Sequence, residues 1–262
     1  MKTIYANIKG GLGNQMFQIA AGWAYAKRHT AQFKIHKRIP HNKVQGESVL
    51  KYIDNGFFCV ESTEEQSIEH SKIYCEPHFH YSEIPELNSD VIVIDGYFQS
   101  VKYFEEYQEE IKNLFKFPQS VIDKCDNIIG GLTKFNIDEV VHIRRGDYKR
   151  LQHIHPVLPD KYYFENASKD AIVVTDDFTD CSRSGVFDYF NYTTGTTNEL
   201  EDLYMLTKTS RLVLANSSFS WWGAFLGNHK VCVWPEPWFG PEGPQDTQDI
   251  YLKRRQDYIT RT

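Results

Sequence analysis

The chain has 262 residues, which is long for one small domain and comfortable for two compact ones. Hydrophobic residues make up 41% and charged residues 24%, a balance that supports a packed core and argues against disorder. The formal net charge of −6 argues against a nucleic-acid partner, and no apolar stretch approaches the roughly 18 residues needed to span a bilayer.

The five cysteines, Cys59, Cys75, Cys125, Cys181 and Cys232, are odd in number and form no Cys-x-x-Cys. That argues against a disulfide framework and a thiolate zinc site. The segment Met1-Lys2-Thr3-Ile4-Tyr5 leads straight into a strand pattern without a signal-peptide apolar core. A cytoplasmic protein is expected, with peripheral contact at the inner face of a membrane left open.

In chain order, residues 2–8 alternate as a first strand. Lys9-Gly10-Gly11-Leu12-Gly13-Asn14-Gln15 follows as a glycine turn and opens a helix from Gln15 to about Arg28, with Met16, Ile19, Ala20, Trp23 and Ala24 at helical spacing. Strand, turn and helix N-terminus together suit an anion. They do not make a dinucleotide site, because Met16 stands where a third glycine belongs and no acidic residue lies near position 34. Ala31–Ile35 reads as a strand and 36–50 as a long loop. Short strands are expected near Lys72–Cys75 and Val91–Ile94. After Asp95-Gly96-Tyr97-Phe98-Gln99 comes a helix from about Val101 to Phe115, then a break at Pro118 and a helix over 119–131. Gly130-Gly131 places the boundary between domains 1–130 and 131–262.

The second half alternates strand and helix. Strands are expected over 138–144, Ala171–Thr175, Val186–Phe190, Leu212–Ala215 and Lys230–Trp234, with helices near 160–169, 199–209 and 219–227. This spacing predicts a doubly wound parallel sheet, and the first half repeats the pattern more weakly. The fold class is therefore α/β, with two Rossmann-like domains facing a cleft.

Three strand ends of the second half carry polar residues. One is His142-Ile143-Arg144-Arg145-Gly146-Asp147, the next Thr175-Asp176-Asp177, the third Asn216-Ser217-Ser218-Phe219-Ser220. In a parallel sheet they converge on one edge, where ligands bind in open α/β folds. Alternation puts His142 and Arg144 on one face and Val141, Ile143 and Arg145 on the other. Paired guanidinium forks match a diphosphate. The serines and the following helix N-terminus suit phosphate, with Trp221 and Trp222 read as core. Asp176 or Asp177 matches the adjacent N–H donors of guanine, while at least one of the two is expected to cap a helix. No Asp-x-Asp and no Gly-x-Ser-x-Gly occurs, so leaving-group charge falls to guanidinium rather than a metal, and a serine hydrolase has no support.

His142-Ile143-Arg144-Arg145-Gly146-Asp147 resembles the His-x-Arg-Arg-x-Asp motif of the α1,2/α1,6-fucosyltransferase superfamily. Gly10–Gln18, Ser217–Ala224 and Asp202-Leu203-Tyr204-Met205 resemble stretches of its α1,2 branch, glycosyltransferase family 11, in the family's order. The resemblance implies a GT-B architecture and inverting transfer of L-fucose from GDP-β-L-fucose to the 2-hydroxyl of a terminal galactose, on an oligosaccharide or lipid-linked glycan. It implies no metal and no cofactor. By the same resemblance Arg144 grips the diphosphate and Arg145 assists or braces. His142 and one of Asp176 and Asp177 read guanine, and Ser217, Ser218 and Ser220 contact phosphate beside Phe219. Gly13, Asn14 and Gln15 reach the cleft from the acceptor-side first domain. Asp147 is either the base that inversion requires or a brace for the arginines. Two alternatives stay open: α1,6 linkage, and a nucleotide-sugar-binding protein without catalysis.

Overall fold

A computed structural model describes residues 2–38, 47–64, 68–134, 136–196, 198–252 and 258–261. The chain divides into two units, 1–118 with 246–251, and 119–245 with 252–262.

The first unit is built on a five-stranded parallel sheet in the order β3-β2-β1-β5-β4. Its strands are β1 (Thr3–Ala6), β2 (Gln32–His36), β3 (Glu61–Thr63), β4 (Lys72–Cys75) and β5 (Val91–Asp95). Every residue of β1 is buried, as befits a central parallel strand covered on both faces. Helix α1 (Leu12–Arg28) follows the glycine turn. Its alanines favour the helix and its residues are buried almost all round, with Lys27 and Arg28 meeting the negative end of the dipole. The unit is completed by α2 (Val49–Asp54) and α3 (Gln108–Asn113).

The second unit holds a six-stranded parallel sheet in the order β11-β10-β9-β6-β7-β8. Its elements are α4 (Gln119–Thr133), β6 (Glu139–Ile143), α5 (Asp160–Asn166), β7 (Ile172–Thr175), α6 (Phe178–Arg183), α7 (Val186–Tyr189), β8 (Tyr192–Thr193), α8 (Glu199–Leu206), β9 (Arg211–Val213), α9 (Ser218–Leu226), β10 (Val231–Pro235) and β11 (Tyr258–Arg261). Trp221, Trp222 and Phe225 of α9 are wholly buried, Trp221 stacked on Phe225 and Trp222 edge-on to it, so this helix is core behind its N-terminal turn.

Several expectations change. Val186–Phe190 is helix α7 rather than a strand. Gly185 takes a left-handed φ of 83° after α6, and the chain re-enters a helical turn that buries Val186 and Phe190 together, four residues apart. Period alone does not separate such a short apolar run from a strand. The helix expected over 101–115 is two 3₁₀ turns and then α3, because Phe104 at φ −145° interrupts it. The division between units falls after Pro118 rather than at Gly130-Gly131. Helix α4 belongs to the second unit through Lys124 on Glu201 at 2.7 Å and Tyr204 Oη on Asp126 at 2.9 Å. Segment 246–251 returns to the first unit, where Asp249 accepts from the Tyr81 amide at 2.9 Å and pairs with Lys102. The loop expected over 36–50 falls largely on residues 39–46, outside the described residues. None of the five cysteines is in a disulfide.

Candidate active site

In the second sheet β6 lies between β7 and β9, all parallel, so the three polar strand ends foreseen from the sequence do share one edge. β6 is buried throughout Val140–Ile143 and delivers Arg144 at its carboxyl end. The Asp147 carboxylate accepts from Arg144 Nη2 at 2.5 Å, and Asp176 Oδ2 lies 3.1 Å from Nη1. The guanidinium stacks over the Tyr148 ring at 5.1 Å. Its Nε is buried without a hydrogen-bond partner among the described residues. Two carboxylates therefore fix the fork while the Nε–H is left over.

Arg145 points to the other face, as alternation requires. Its side chain is only 8% exposed, bonded to Asp160 and near Asp180 at 3.7 Å. With two carboxylates around it, Arg145 ties the loop to α5 and α6, a bracing geometry. The Asp176 side chain reaches back to accept from the Arg145 amide at 2.8 Å. This approach needs Gly146, since a Cβ there would stand 2.2 Å from Asp176 Oδ2. Burial raises the Asp176 pKa, with Arg144 and the Arg145 amide pulling it back. Asp177 is the expected helix cap: it accepts from the Asp180 amide at 3.0 Å and pairs with Lys149 at 2.7 Å. Lys149, then the Asp180 amide, holds its carboxyl below the usual range.

His142 is buried and its Nδ1 bonds the Ser220 hydroxyl, while its ring lies 5.4 Å from Phe219. Burial, then the Arg144 charge, pushes its pKa down to about 3, so the imidazole is neutral. Ser220 is wholly buried and also accepts from the Ala215 amide at 3.2 Å. Its hydroxyl is turned inward to hold His142. Ser217 caps α9 through the Phe219 amide at 3.2 Å, and Ser218 and Phe219 are partly exposed on the first turn. Among the described residues no group of three or more His, Cys, Asp or Glu side chains is placed to hold a metal.

Gly13, Asn14 and Gln15 belong to the first unit, in the opening turn of α1. Asn14 Oδ1 accepts from Gln99 at 2.7 Å. Gln15 is buried, donating to the Gly10 carbonyl at 3.1 Å and the Glu47 carbonyl at 3.0 Å, with Oε1 unpartnered among the described residues. Gln18 pins the glycine turn by bonding both the amide and carbonyl of Lys9.

The structure gives roles to residues to which the sequence analysis assigned none. Tyr148 donates to the Asn216 carbonyl at 3.0 Å, and Asn216 in turn donates to Pro156 and Trp238 carbonyls. Asp202 on α8 accepts from Thr196 and has no cationic partner among the described residues. Burial, opposed by the Thr196 bond, carries its pKa up to about 6, with nearby acids including Asp176 contributing. The sequence signal for Asp202 was its place in the Asp202-Leu203-Tyr204-Met205 stretch; Tyr148 had none beyond following the arginine motif.

Two parallel α/β units, one with an arginine fork held by carboxylates at its carboxyl edge, are the architecture of the GT-B fold. The model of glycosyl transferase family 11 matches residues 3–255, and the chain belongs to that family. It is 28% identical to an alpha-1,2-colitosyltransferase of Escherichia coli, over 92% of this chain and 94% of that protein. It is 25% identical to a galactoside 2-alpha-L-fucosyltransferase of Caenorhabditis elegans, over 86% of this chain and 69% of that one. The crystal structure of NodZ alpha-1,6-fucosyltransferase soaked with GDP-fucose shares the fold at a TM-score of 0.55 and 14% identity, covering 87% of this chain and 93% of that one.

Proposed function

We propose that the protein transfers L-fucose from GDP-β-L-fucose to the 2-hydroxyl of a terminal galactose on an oligosaccharide or lipid-linked glycan, with inversion and without a metal. The observation that carries this is the Arg144 fork at the carboxyl edge of β6, aimed by two carboxylates and with a buried N–H to spare. The 1,2 linkage is supported by the names of the two sequence relatives, an alpha-1,2-colitosyltransferase and a galactoside 2-alpha-L-fucosyltransferase, whereas NodZ shares only the fold.

In this reading the acceptor oxygen bonds to the anomeric carbon as the bond to the β-phosphate breaks, and the proton of the acceptor hydroxyl passes to water. GDP leaves with the electron pair, and Arg144 meets the charge that develops on the diphosphate. Ser217, Ser218 and the first turn of α9 meet the phosphates. Neutral His142, held by Ser220, lies on the purine side. Both oxygens of Asp176 are already engaged, and Asp177 caps and pairs with Lys149. Asp202, with no cationic partner among the described residues, is the carboxylate left for the guanine N–H groups. Asp147 serves as brace through its bond to Arg144.

No helix among the described residues is long and apolar enough to cross a membrane. The test is a panel of galactose-terminated acceptors with GDP-fucose and product linkage analysis. A 1,2-fucoside, formed equally with and without EDTA, is the expected result. A 1,6-fucoside would reassign the linkage, and abolition by EDTA would sink the metal-free mechanism. GDP binding with no transfer to any acceptor would leave a nucleotide-sugar-binding protein. A donor arm with GDP-colitose, whose sugar is a 3-deoxy fucose, tests the sugar named by the E. coli relative.

A further inference from the structure

The first sheet has its own polar carboxyl edge, which the donor chemistry leaves unused. Strand β5 ends at Asp95, paired in register with Cys75 of β4, so the segments after both strands emerge side by side. Lys9, after β1, bonds Asp95 at 2.6 Å. Tyr97 stands beside them 42% exposed, with the Lys9 ammonium 5.1 Å from its ring centroid. Gln99 and Asn14 bond each other at 2.7 Å two residues further on.

Tyr97 is exposed but not loose. Both oxygens of Glu76 are spent on its segment: one accepts from the Tyr97 amide at 2.7 Å and the Phe98 amide at 3.0 Å, the other from the Tyr103 hydroxyl at 3.0 Å. Phe98 is held at φ +51°, a strained value for a bulky side chain, while its ring is wholly buried. Gly96 permits the approach, because a Cβ there would lie 2.4 Å from Glu76 Cβ. A folded chain keeps such strain where surrounding contacts over-determine it, and here those contacts fix one exposed ring.

A rigid aromatic face with an ion pair and planar amides beside it matches a pyranose. The C–H face of the sugar meets the negative face of the ring, and its hydroxyls find charged and amide partners. We propose that Tyr97, fixed by Glu76, is the stacking platform for a hexopyranose ring of the acceptor, with Lys9 and Asp95 bonding its hydroxyls. This rests on the glycan-transfer reading above. Glu76 is a positioning residue that acts through the loop.

The test is saturation-transfer NMR on the full chain with GDP bound, using methyl β-D-galactopyranoside and N-acetyllactosamine as probes. Tyr97→Ala is expected to weaken saccharide binding about five- to tenfold, the scale of one aromatic contact, with GDP affinity unchanged. Tyr97→Phe keeps the ring and is expected to match the parent, and Glu76→Gln to weaken the saccharides but not GDP. Saccharide binding by Tyr97→Ala equal to the parent, or no binding of either probe by the parent, overturns the platform. Tyr97-dependent saccharide binding in a protein that transfers nothing from GDP-fucose would uphold the platform and sink the donor reading.

Discussion

Arg144 and Asp147, three residues apart, face each other across a 2.5 Å bond while Asp176 holds the opposite side of the same guanidinium. The arginine thus arrives at the sheet edge already aimed. A fork locked in one orientation loses little entropy when it takes up a ligand. Arg144→Lys replaces the fork by a point charge that cannot serve both carboxylates and a diphosphate. Turnover with GDP-fucose is expected to fall roughly 100- to 1,000-fold, the scale of a lost charge-stabilising donor. Near-parental turnover in this variant would remove Arg144 from the diphosphate.

The same bond decides how Asp147 is tested. As a brace it acts through Arg144, so Asp147→Asn should weaken GDP binding in calorimetry along with turnover. A variant that binds GDP as the parent does but no longer turns over would instead make Asp147 the base.

Arg145 and Asp160 carry a stability prediction. Asp160→Ala leaves a nearly buried guanidinium with only the longer contact to Asp180. Removing one partner of a buried pair typically costs about 3–5 kcal/mol, so a clearly lower unfolding midpoint is expected. A midpoint within about 2 °C of the parent, the scale by which 1 kcal/mol moves such a transition in a chain of this size, would show that Asp180 suffices.

Asp202 makes stability depend on pH. Its folded pKa of about 6 lies above the usual carboxylate value, so the folded state holds the proton more tightly than the unfolded chain. The favourable contribution is complete below the unfolded value and is lost as pH rises through about 6. Asp202→Asn should therefore gain on the order of 3 kcal/mol relative to the parent between pH 4 and pH 8. Parallel stability profiles for the two proteins across that range would contradict the shift.

His142, with its pKa down at about 3, stays neutral throughout the working range. It should add no limb to a pH–rate profile above pH 5, and His142→Gln should leave the positions of the limbs unchanged. A limb near 6 that vanishes in the variant would mean that the imidazole charges.

Much of the site was legible because strand ends in a parallel sheet are predictable from alternation. Placing His142 with Arg144, and Arg145 with Val141 and Ile143, needed only the period of 2. What stayed hidden is tertiary. Nothing local says that Ser220 turns inward to His142, that Asp176 reaches over Gly146, or that Tyr148 props Asn216 across 68 residues. Gly130-Gly131 misplaced the boundary because α4 is assigned by what it packs on, through Glu201 and Tyr204, and not by what ends it. The run 186–190 misread as strand because four apolar residues fit either period.

The return of segment 246–251 to the first unit bears on the order in which the molecule can be completed. Domains fold largely as the chain emerges during synthesis. The first unit, however, waits for Asp249 to close on the Tyr81 amide and Lys102, and those residues are made only after all of 119–245. A fragment stopped at Pro118 lacks that clasp, so the first unit is completed only after most of the second has been made.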